Sequence, residues 1–119
     1  MIAGIGVDVV DVQRFERAVS RTPRLLTRLF AQGEQGLPVR SLAARFAAKE
    51  ALVKALGGDA GLGWPDLEVV SDPEGRPAFV SRGRLAGVLA ARGVRRAHLS
   101  LTHDAGIACA FVVLDGSAS

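Results

Sequence analysis

A chain of 119 residues with 49% hydrophobic and 23% charged residues is long enough for one hydrophobic core and too apolar to be disordered, so we expect a single domain over residues 1–119. It has no apolar run long enough to cross a bilayer, no export leader and a single cysteine, Cys109, which favours a cytoplasmic protein without membrane contact and excludes a disulfide framework. The net charge of +3 comes from the first 57 residues, which carry nine basic and five acidic side chains and therefore favour an anionic partner.

The first thirty residues predict a strand and two helices. Residues 2–10 alternate apolar with small side chains and indicate a buried strand that ends at Asp8. Asp11 can cap a helix that runs through residues 15–20. A threonine-proline pair then predicts a second short helix over residues 22–30.

The middle of the chain predicts a loop and the most regular helix. Glycine and proline between residues 33 and 38 indicate the loop. Ser41 can then cap a helix over Leu42–Leu56, which is rich in alanine and leucine. Gly57 is typical of a residue that ends such a helix.

The second half of the chain predicts mainly strands. Its elements are a strand at Leu67–Ser71, a turn at 72–75, an edge strand at Pro77–Val80, a helix at Gly83–Arg92 and a hairpin of Ala97–Thr102 with Ile107–Leu114. The complete order predicts an α+β domain in which a small, mostly antiparallel sheet packs with helices.

Two glycines precede a carboxylate on the first predicted strand. Gly4, Gly6 and Asp8 point to one face, because side chains alternate along a strand. The glycines leave space for the close approach of a helix or of a ligand. A dinucleotide-binding fingerprint is excluded because its third glycine is missing. From this segment alone, Asp8 is a site carboxylate or a local cap.

A second candidate lies on the long helix. Phe46, Glu50 and Lys54 follow one another at steps of four and share a stripe with Val53. The order of Glu50 and Lys54 suits an exposed ion pair, whereas the apolar members suit the edge of a cleft. Glu50 and Asp8 together would give two hard oxygen ligands, enough for Mg²⁺ if phosphate and water complete the shell.

A third candidate is His103, at the end of a hairpin strand. Alternation places it on one face with Leu99 and Leu101. A histidine in this position is either structural or, with Asp104 holding its ring, able to bind a phosphate or a sugar.

Five arginines share one helical face, at alternating spacings of three and four. They are Arg14, Arg17, Arg21, Arg24 and Arg28. This face is either ordinary solvated surface or a docking surface for an acidic helix or phosphates. With no tyrosine, one tryptophan and five phenylalanines, the chain lacks a platform on which single-stranded nucleic acid would stack.

The candidate segments together resemble one family in their order and spacing. They are Gly4–Val10 (GIGVDVV), Arg45–Ala51 (RFAAKEA), Lys54–Gly57 (KALG) and Ser100–Asp104 (SLTHD). Over nearly its whole length the chain resembles the holo-(acyl-carrier-protein) synthases, the short type of 4′-phosphopantetheinyl transferase. The resemblance implies the fold of that family and transfer of phosphopantetheine from coenzyme A to a serine of apo acyl carrier protein, with release of adenosine 3′,5′-bisphosphate. It also implies a homotrimer with active sites between neighbouring subunits.

The resemblance further implies roles for individual residues. Asp8 and Glu50 would be Mg²⁺ ligands, with the pyrophosphate of coenzyme A completing the shell, and with Lys54 they would form the catalytic set. Lys54 would hold the pyrophosphate, and His103 would contact the coenzyme near its ribose phosphate. The general base stays open between Glu50 and a metal-bound water.

More roles follow for the remaining basic and aromatic residues. The resemblance makes Arg45 and Lys49 further phosphate contacts and Phe46 a wall of the cleft. The surface that would dock the acidic helix of the carrier protein matches Arg14, Arg21, Arg24 and Arg28. The stretch between Phe30 and Ser41 is shorter than is usual in the family, so no contact is transferred there.

Two alternatives remain. A non-catalytic basic module that binds RNA or protein would explain the arginine face but leaves Asp8, Glu50 and His103 without a purpose. A degenerate transferase kept as a structural subunit would not need its acidic and basic site residues. Length independently favours self-association: longer transferases of this superfamily fuse two such units around the site, and this chain supplies only one.

Overall fold

The computed structural model describes residues 1–117, which form four α-helices and five strands. In chain order these are β1 (Ile2–Asp11), α1 (Val12–Arg21), α2 (Leu25–Leu29), α3 (Val39–Leu56), β2 (Val69–Ser71), β3 (Pro77–Phe79), α4 (Gly83–Ala91), β4 (Val94–Asp104) and β5 (Ile107–Gly116). Short 3₁₀ helices lie at Gln32–Glu34 and Trp64–Leu67. The predicted α+β class and the antiparallel sheet are confirmed, and the last two residues of the predicted domain lie outside the described range.

The main sheet has the order β1–β5–β4, with antiparallel pairing throughout. The predicted hairpin is present, and its two turn residues, Ala105 and Gly106, have positive φ angles of 51° and 77°, which suit a tight hairpin turn. Both hairpin strands are longer than predicted, because the pairing of β4 with β5 continues through the polar residues Arg96 and Asp115. Polar side chains on an exposed face hide a strand from the hydrophobic pattern.

The long helix begins earlier than predicted. It starts at Val39 with Pro38 as the flanking residue, so Ser41 lies within the first turn and the prediction that it caps the helix is wrong. A proline fixes the φ angle that this boundary requires, and the Pro38 carbonyl accepts a bond from the Leu42 amide at 3.1 Å. At the other end Gly57 adopts φ +78° and terminates the helix as predicted.

Helix α3 packs directly on β1 because two glycines leave the space. A Cβ atom on Gly4 would lie 2.1 Å from the carbonyl oxygen of Ala55, and one on Gly6 would lie 1.8 Å from that of Ala51. The space that the sequence left open for a helix or a ligand is therefore filled by a helix. The helix buries its small side chains completely or nearly so at this contact: Ala47, Ala48, Ala51 and Ala55.

The sheet has two different faces. The inner face packs on α3 and α4, and its buried side chains include Ala110, Val112 and Leu114. The outer face is apolar but exposed along β1 and the neighbouring β5. Among the described residues no helix is long and apolar enough to cross a bilayer.

Candidate functional site

A cleft of about 630 Å³ opens between the end of β1 and helices α1 and α3. Its polar lining comes from Asp8 and Asp11 on β1, from Arg14 on α1, and from Glu50 and Lys54 on α3. Phe15 and Phe46 line it as well, with stacked rings 5.8 Å apart. The close packing of α3 on β1 brings together residues that are far apart in the sequence. The predicted catalytic residues, Asp8, Glu50 and Lys54, therefore all line this cleft.

Asp8 and Lys54 form an ion pair across the cleft. The Lys54 ammonium donates to Asp8 Oδ1 at 2.9 Å and to the carbonyl of Val7 at 3.2 Å. The hydrogen bond that Lys54 donates to Asp8 raises the pKa of Lys54, so this lysine is positively charged at neutral pH. The Asp8 side chain is mostly buried, whereas that of Lys54 is half exposed. The charge of Lys54 is therefore accessible to an anion that enters the cleft from solvent.

Glu50 lies close to the Asp8 carboxylate. Burial raises the pKa of Glu50, the negative charge of Asp8 raises it further, and the charge of Lys54 opposes both. Because the charge of Asp8 disfavours the ionisation of Glu50, a cation bound beside both carboxylates would relieve this repulsion. In this arrangement the Lys54 ammonium already occupies the position of a cation on Asp8.

The donor set fits magnesium better than a transition metal. Residues 1–117 contain no cluster of three or more histidine, cysteine, aspartate or glutamate side chains that could hold a metal. Mg²⁺ is commonly bound by one or two carboxylates, with phosphate oxygens and water completing six positions. Asp8 and Glu50 could supply the protein ligands of such a site, and a phosphorylated substrate would have to supply others.

Lys49 does not reach this cleft. Its ammonium is fully buried and donates to Glu34 Oε1 at 2.7 Å and to the carbonyl of Trp64 at 3.0 Å. The predicted phosphate contact is therefore corrected: a side chain enclosed in the protein interior cannot bind a substrate from solvent. Periodicity could not show this burial, because Glu34 lies fifteen residues earlier in the chain.

Arg45 and His103 also lie outside the cleft. Arg45 is half-buried, and its Nε donates to the carbonyl of Val69 at 3.3 Å. His103 lines a second cleft of about 490 Å³ together with Arg40, and the two clefts share Ile107. Coenzyme contacts by Arg45 and His103 stay predictions. Within one chain, the predicted coenzyme-binding residues are divided between separate surfaces.

The arginine face is present and exposed. Arg14 lines the main cleft, while Arg21 lies in a groove along α1, and Arg24 and Arg28 lie in a groove along α2. Arg17 shares the groove of Arg21. In the part of the chain that the structure describes, their guanidinium groups form no ion pair, so their positive charge is directed to solvent.

The sequence pattern does not identify two features beside the cleft. Phe15 is predicted only as part of a helix, although its spacing from Val19 is typical of a buried face that could meet Phe46. Glu34 falls in the predicted loop, yet it is completely buried. No local pattern marks it, since a buried carboxylate is recognisable only with its distant partner.

The chain is similar to one family along nearly its whole length. The family model described as "4′-phosphopantetheinyl transferase superfamily" matches residues 4–112. The holo-[acyl-carrier-protein] synthase of Clavibacter michiganensis subsp. michiganensis is 64% identical over 118 residues, 99% of each chain.

Solved structures agree. That of holo-[acyl-carrier-protein] synthase from Neisseria meningitidis aligns with a TM-score of 0.86 and 32% identity, over 97% of this chain and 99% of that one. The Helicobacter pylori synthase, solved in complex with coenzyme A, aligns with a TM-score of 0.82 and 30% identity, over 93% and 99% of the two chains. With these relatives and a cleft that joins Asp8, Glu50 and Lys54, the chain belongs to the holo-[acyl-carrier-protein] synthases, a family of phosphopantetheinyl transferases.

Proposed function

We infer that this enzyme transfers the 4′-phosphopantetheine group of coenzyme A to a serine of apo acyl carrier protein in the presence of Mg²⁺. One observation carries the proposal: the carboxylates of Asp8 and Glu50 and the charged Lys54 line one cleft. The coenzyme A complex of the Helicobacter pylori relative supports the choice of donor.

In the proposed reaction the serine oxygen bonds to the β-phosphorus of coenzyme A. The bond from that phosphorus to the bridging oxygen breaks, and adenosine 3′,5′-bisphosphate leaves with the bridging oxygen. We assign the serine proton to Glu50, because burial raises the pKa of this carboxylate toward the range that suits a general base. Lys54 turns from Asp8 to the pyrophosphate and balances its charge.

Asp8 and Glu50 would hold the magnesium ion, which when bound supplies positive charge beside the pyrophosphate. The chain itself contributes position. Asp8 is fixed on a paired strand and Glu50 on a helix that touches this strand, so the carboxylates are held before the substrate arrives.

We propose that the protein assembles as a homotrimer through the outer face of its sheet. Ile5, Val7 and Val9 on β1 are 55%, 49% and 58% exposed, and Phe111, which pairs with Val7, is 45% exposed. Contiguous apolar surface of this kind is typical of an interface between chains. Self-association would also explain the separate cleft of His103, because a neighbouring copy can supply that part of the coenzyme site.

We propose that the arginine face binds the acyl carrier protein. Arg14, Arg21, Arg24 and Arg28 lead from the cleft along α1 and α2, so an acidic helix seated there would present its serine to Asp8 and Glu50. Nucleic acid is the less suitable partner because the chain has no tyrosine and only one tryptophan on which bases could stack, and a cytoplasmic location accords with both substrates.

The direct test is transfer itself. Coenzyme A, Mg²⁺ and an apo carrier protein are incubated with the enzyme, and mass spectrometry measures the phosphopantetheine mass increment and the released nucleotide. Glu50→Gln should lose most of the activity, because it removes a charged ligand and the proton acceptor. Glu74→Gln is the matched control, since this carboxylate lies on an exposed turn remote from the cleft. A wild type that is inert toward several carrier proteins would contradict the proposal.

A further inference from the structure

A buried ion pair lies beside the cleft and takes no part in the proposed reaction. Glu34 and Lys49 are both 0% exposed, and Lys49 Nζ lies 2.7 Å from Glu34 Oε1. The Glu34 carboxylate also accepts hydrogen bonds from the amides of Ala31 and Val69, at 2.9 Å and 3.0 Å. This pair therefore joins the loop before α3, the start of β2 and α3 itself.

The Lys49 ammonium also connects to the aromatic wall of the cleft. It donates to the carbonyl of Trp64 at 3.0 Å, and the Trp64 ring lies 5.5 Å from that of Phe46. Phe46 stacks on Phe15 at 5.8 Å, and Phe15 meets the edge of Phe30 at 6.1 Å.

The same ammonium lies 5.4 Å from the ring centroid of Phe30. Starting from Lys49, the contacts pass through Trp64, Phe46, Phe15 and Phe30 and return to Lys49. The Lys49 ammonium and these four aromatic residues thus form a closed series of contacts, and two of the four, Phe15 and Phe46, line the cleft.

A buried ion pair is a costly way to obtain stability alone. Two charges lose their hydration on burial, and apolar residues of similar volume often stabilise a fold equally well or better. An ion pair is more directional than apolar packing, because each of its hydrogen bonds fixes the position of a particular atom. Here the fixed atoms belong to segments that hold the aromatic wall, and Lys49 directly precedes the cleft residue Glu50.

We propose that Glu34 and Lys49 are positioning residues that hold the Phe15–Phe46 wall against the reacting end of the cleft, so that breaking the pair lowers turnover more than coenzyme binding. The inference rests on the proposed transferase function for its kinetic part. Neither side chain touches the substrate. Lys49 acts through the Trp64 backbone and the Phe30 ring, and Glu34 acts by orienting Lys49.

The chain provides its own probe, because Trp64 is its only tryptophan. Lys49→Met keeps the length of the side chain and removes the ammonium. We expect the folded variant to lose roughly tenfold in kcat, since small displacements of a site have large effects on rate. The KM for coenzyme A should change less than about twofold, because Lys54 is untouched. Acrylamide should quench the Trp64 fluorescence more strongly than in the wild type.

Two further variants make the result unambiguous. Phe30→Leu leaves the ion pair intact and removes one of the four aromatic rings. It should therefore also lower kcat with little change in the KM for coenzyme A. If Lys49→Met does not fold, this variant tests the proposal in its place. Arg76→Met is the matched control. It breaks the pair of Arg76 with Asp72, 3.0 Å apart on the exposed 72–76 turn, and should alter neither turnover nor quenching.

Folded Lys49→Met, or folded Phe30→Leu in its place, with the kcat and Trp64 quenching of the wild type would overturn the proposal. A rise in the KM for coenzyme A as large as the expected loss of kcat, with kcat itself unchanged, would also overturn the proposal. It would show that the ion pair affects coenzyme binding and not turnover. If the wild type transfers no phosphopantetheine, the proposed function fails, whereas the quenching comparison still decides whether the pair holds the wall.

Discussion

Replacing Gly6 by alanine tests whether the contact of α3 with β1 positions the active site. The new Cβ atom would lie 1.8 Å from the carbonyl oxygen of Ala51, and the amide nitrogen of Ala55 would be 2.9 Å away. Both atoms belong to the backbone of α3, so no side-chain rotation relieves the clash. The helix has to retreat by roughly 1.5 Å to restore an ordinary van der Waals distance.

This retreat has a cost in stability and a cost in rate. Overpacking a well-packed core costs about 2–3 kcal/mol, which for a chain of this length lowers Tm by roughly 8–12 °C. Glu50 and Lys54 move with the helix, while Asp8 stays on β1. A displacement of this size lowers kcat on the order of a hundredfold.

Thermal unfolding followed by circular dichroism gives the first quantity, and the transfer assay below the Tm of the variant gives the second. Gly87→Ala is the matched control, since a Cβ atom at this exposed position of α4 meets nothing within 4 Å. It should stabilise the protein by about 0.5–1 kcal/mol, because alanine is the better helix former. Gly6→Ala with a Tm and kcat close to those of the wild type would refute the reasoning.

Three other perturbations test the remaining parts of the site. Lys54→Met should raise the pKa of Glu50, because the positive charge of Lys54 lowers it, while burial and Asp8 raise it. Titration of the Glu50 carboxyl group by NMR in the metal-free protein measures this pKa. Because the proposed reaction requires ionised Glu50, activity should fall as the pH falls through the pKa of Glu50. Val7→Lys should convert a trimer to monomers in light scattering, because it places a charge on the exposed apolar strand. Charge reversal of Arg24 and Arg28 together should raise the KM for carrier protein about tenfold and leave that for coenzyme A unchanged.

Two of these three tests have a matched control variant. Val70→Lys places the same charge at an exposed valine of β2 and should leave the assembly state unaltered. Arg76→Glu reverses a charge on the exposed 72–76 turn and should leave the KM for carrier protein unaltered. A wild type that is monomeric and fully active would contradict the trimer. An unchanged pKa of Glu50 in Lys54→Met would show that the ammonium does not act on this carboxylate.

Much of the site was predictable from the sequence, because it depends on the local periodicity of a strand and a helix. Strand alternation placed Gly4, Gly6 and Asp8 on one face, and helical spacing placed Glu50 and Lys54 on one stripe. The structure brings these two faces together. The glycines explain why: they define where the helix can approach, and that approach sets the width of the cleft.

The parts that were not predictable depend on distant partners. Lys49 belongs to the same helix and motif as Glu50, yet a rotation of about 100° around the helix directs it to the interior. Its partners there, Glu34 and the carbonyl of Trp64, both lie fifteen residues away in the chain. The start of α3 differs from the prediction for a local reason, since Ser41 is a good cap by composition but Pro38 fixes the backbone three residues earlier.

The position of β5 has a consequence for the order of folding. β5 follows the other two strands of the main sheet in the chain and lies between them, and it pairs Asp115 with Ile2. Neither β1 nor β4 has a partner in this sheet until β5 has left the ribosome, and such distant pairing makes folding slow. Asp8 pairs with Ala110, so this metal-ligand candidate acquires its place only with the last strand of this sheet to be synthesised.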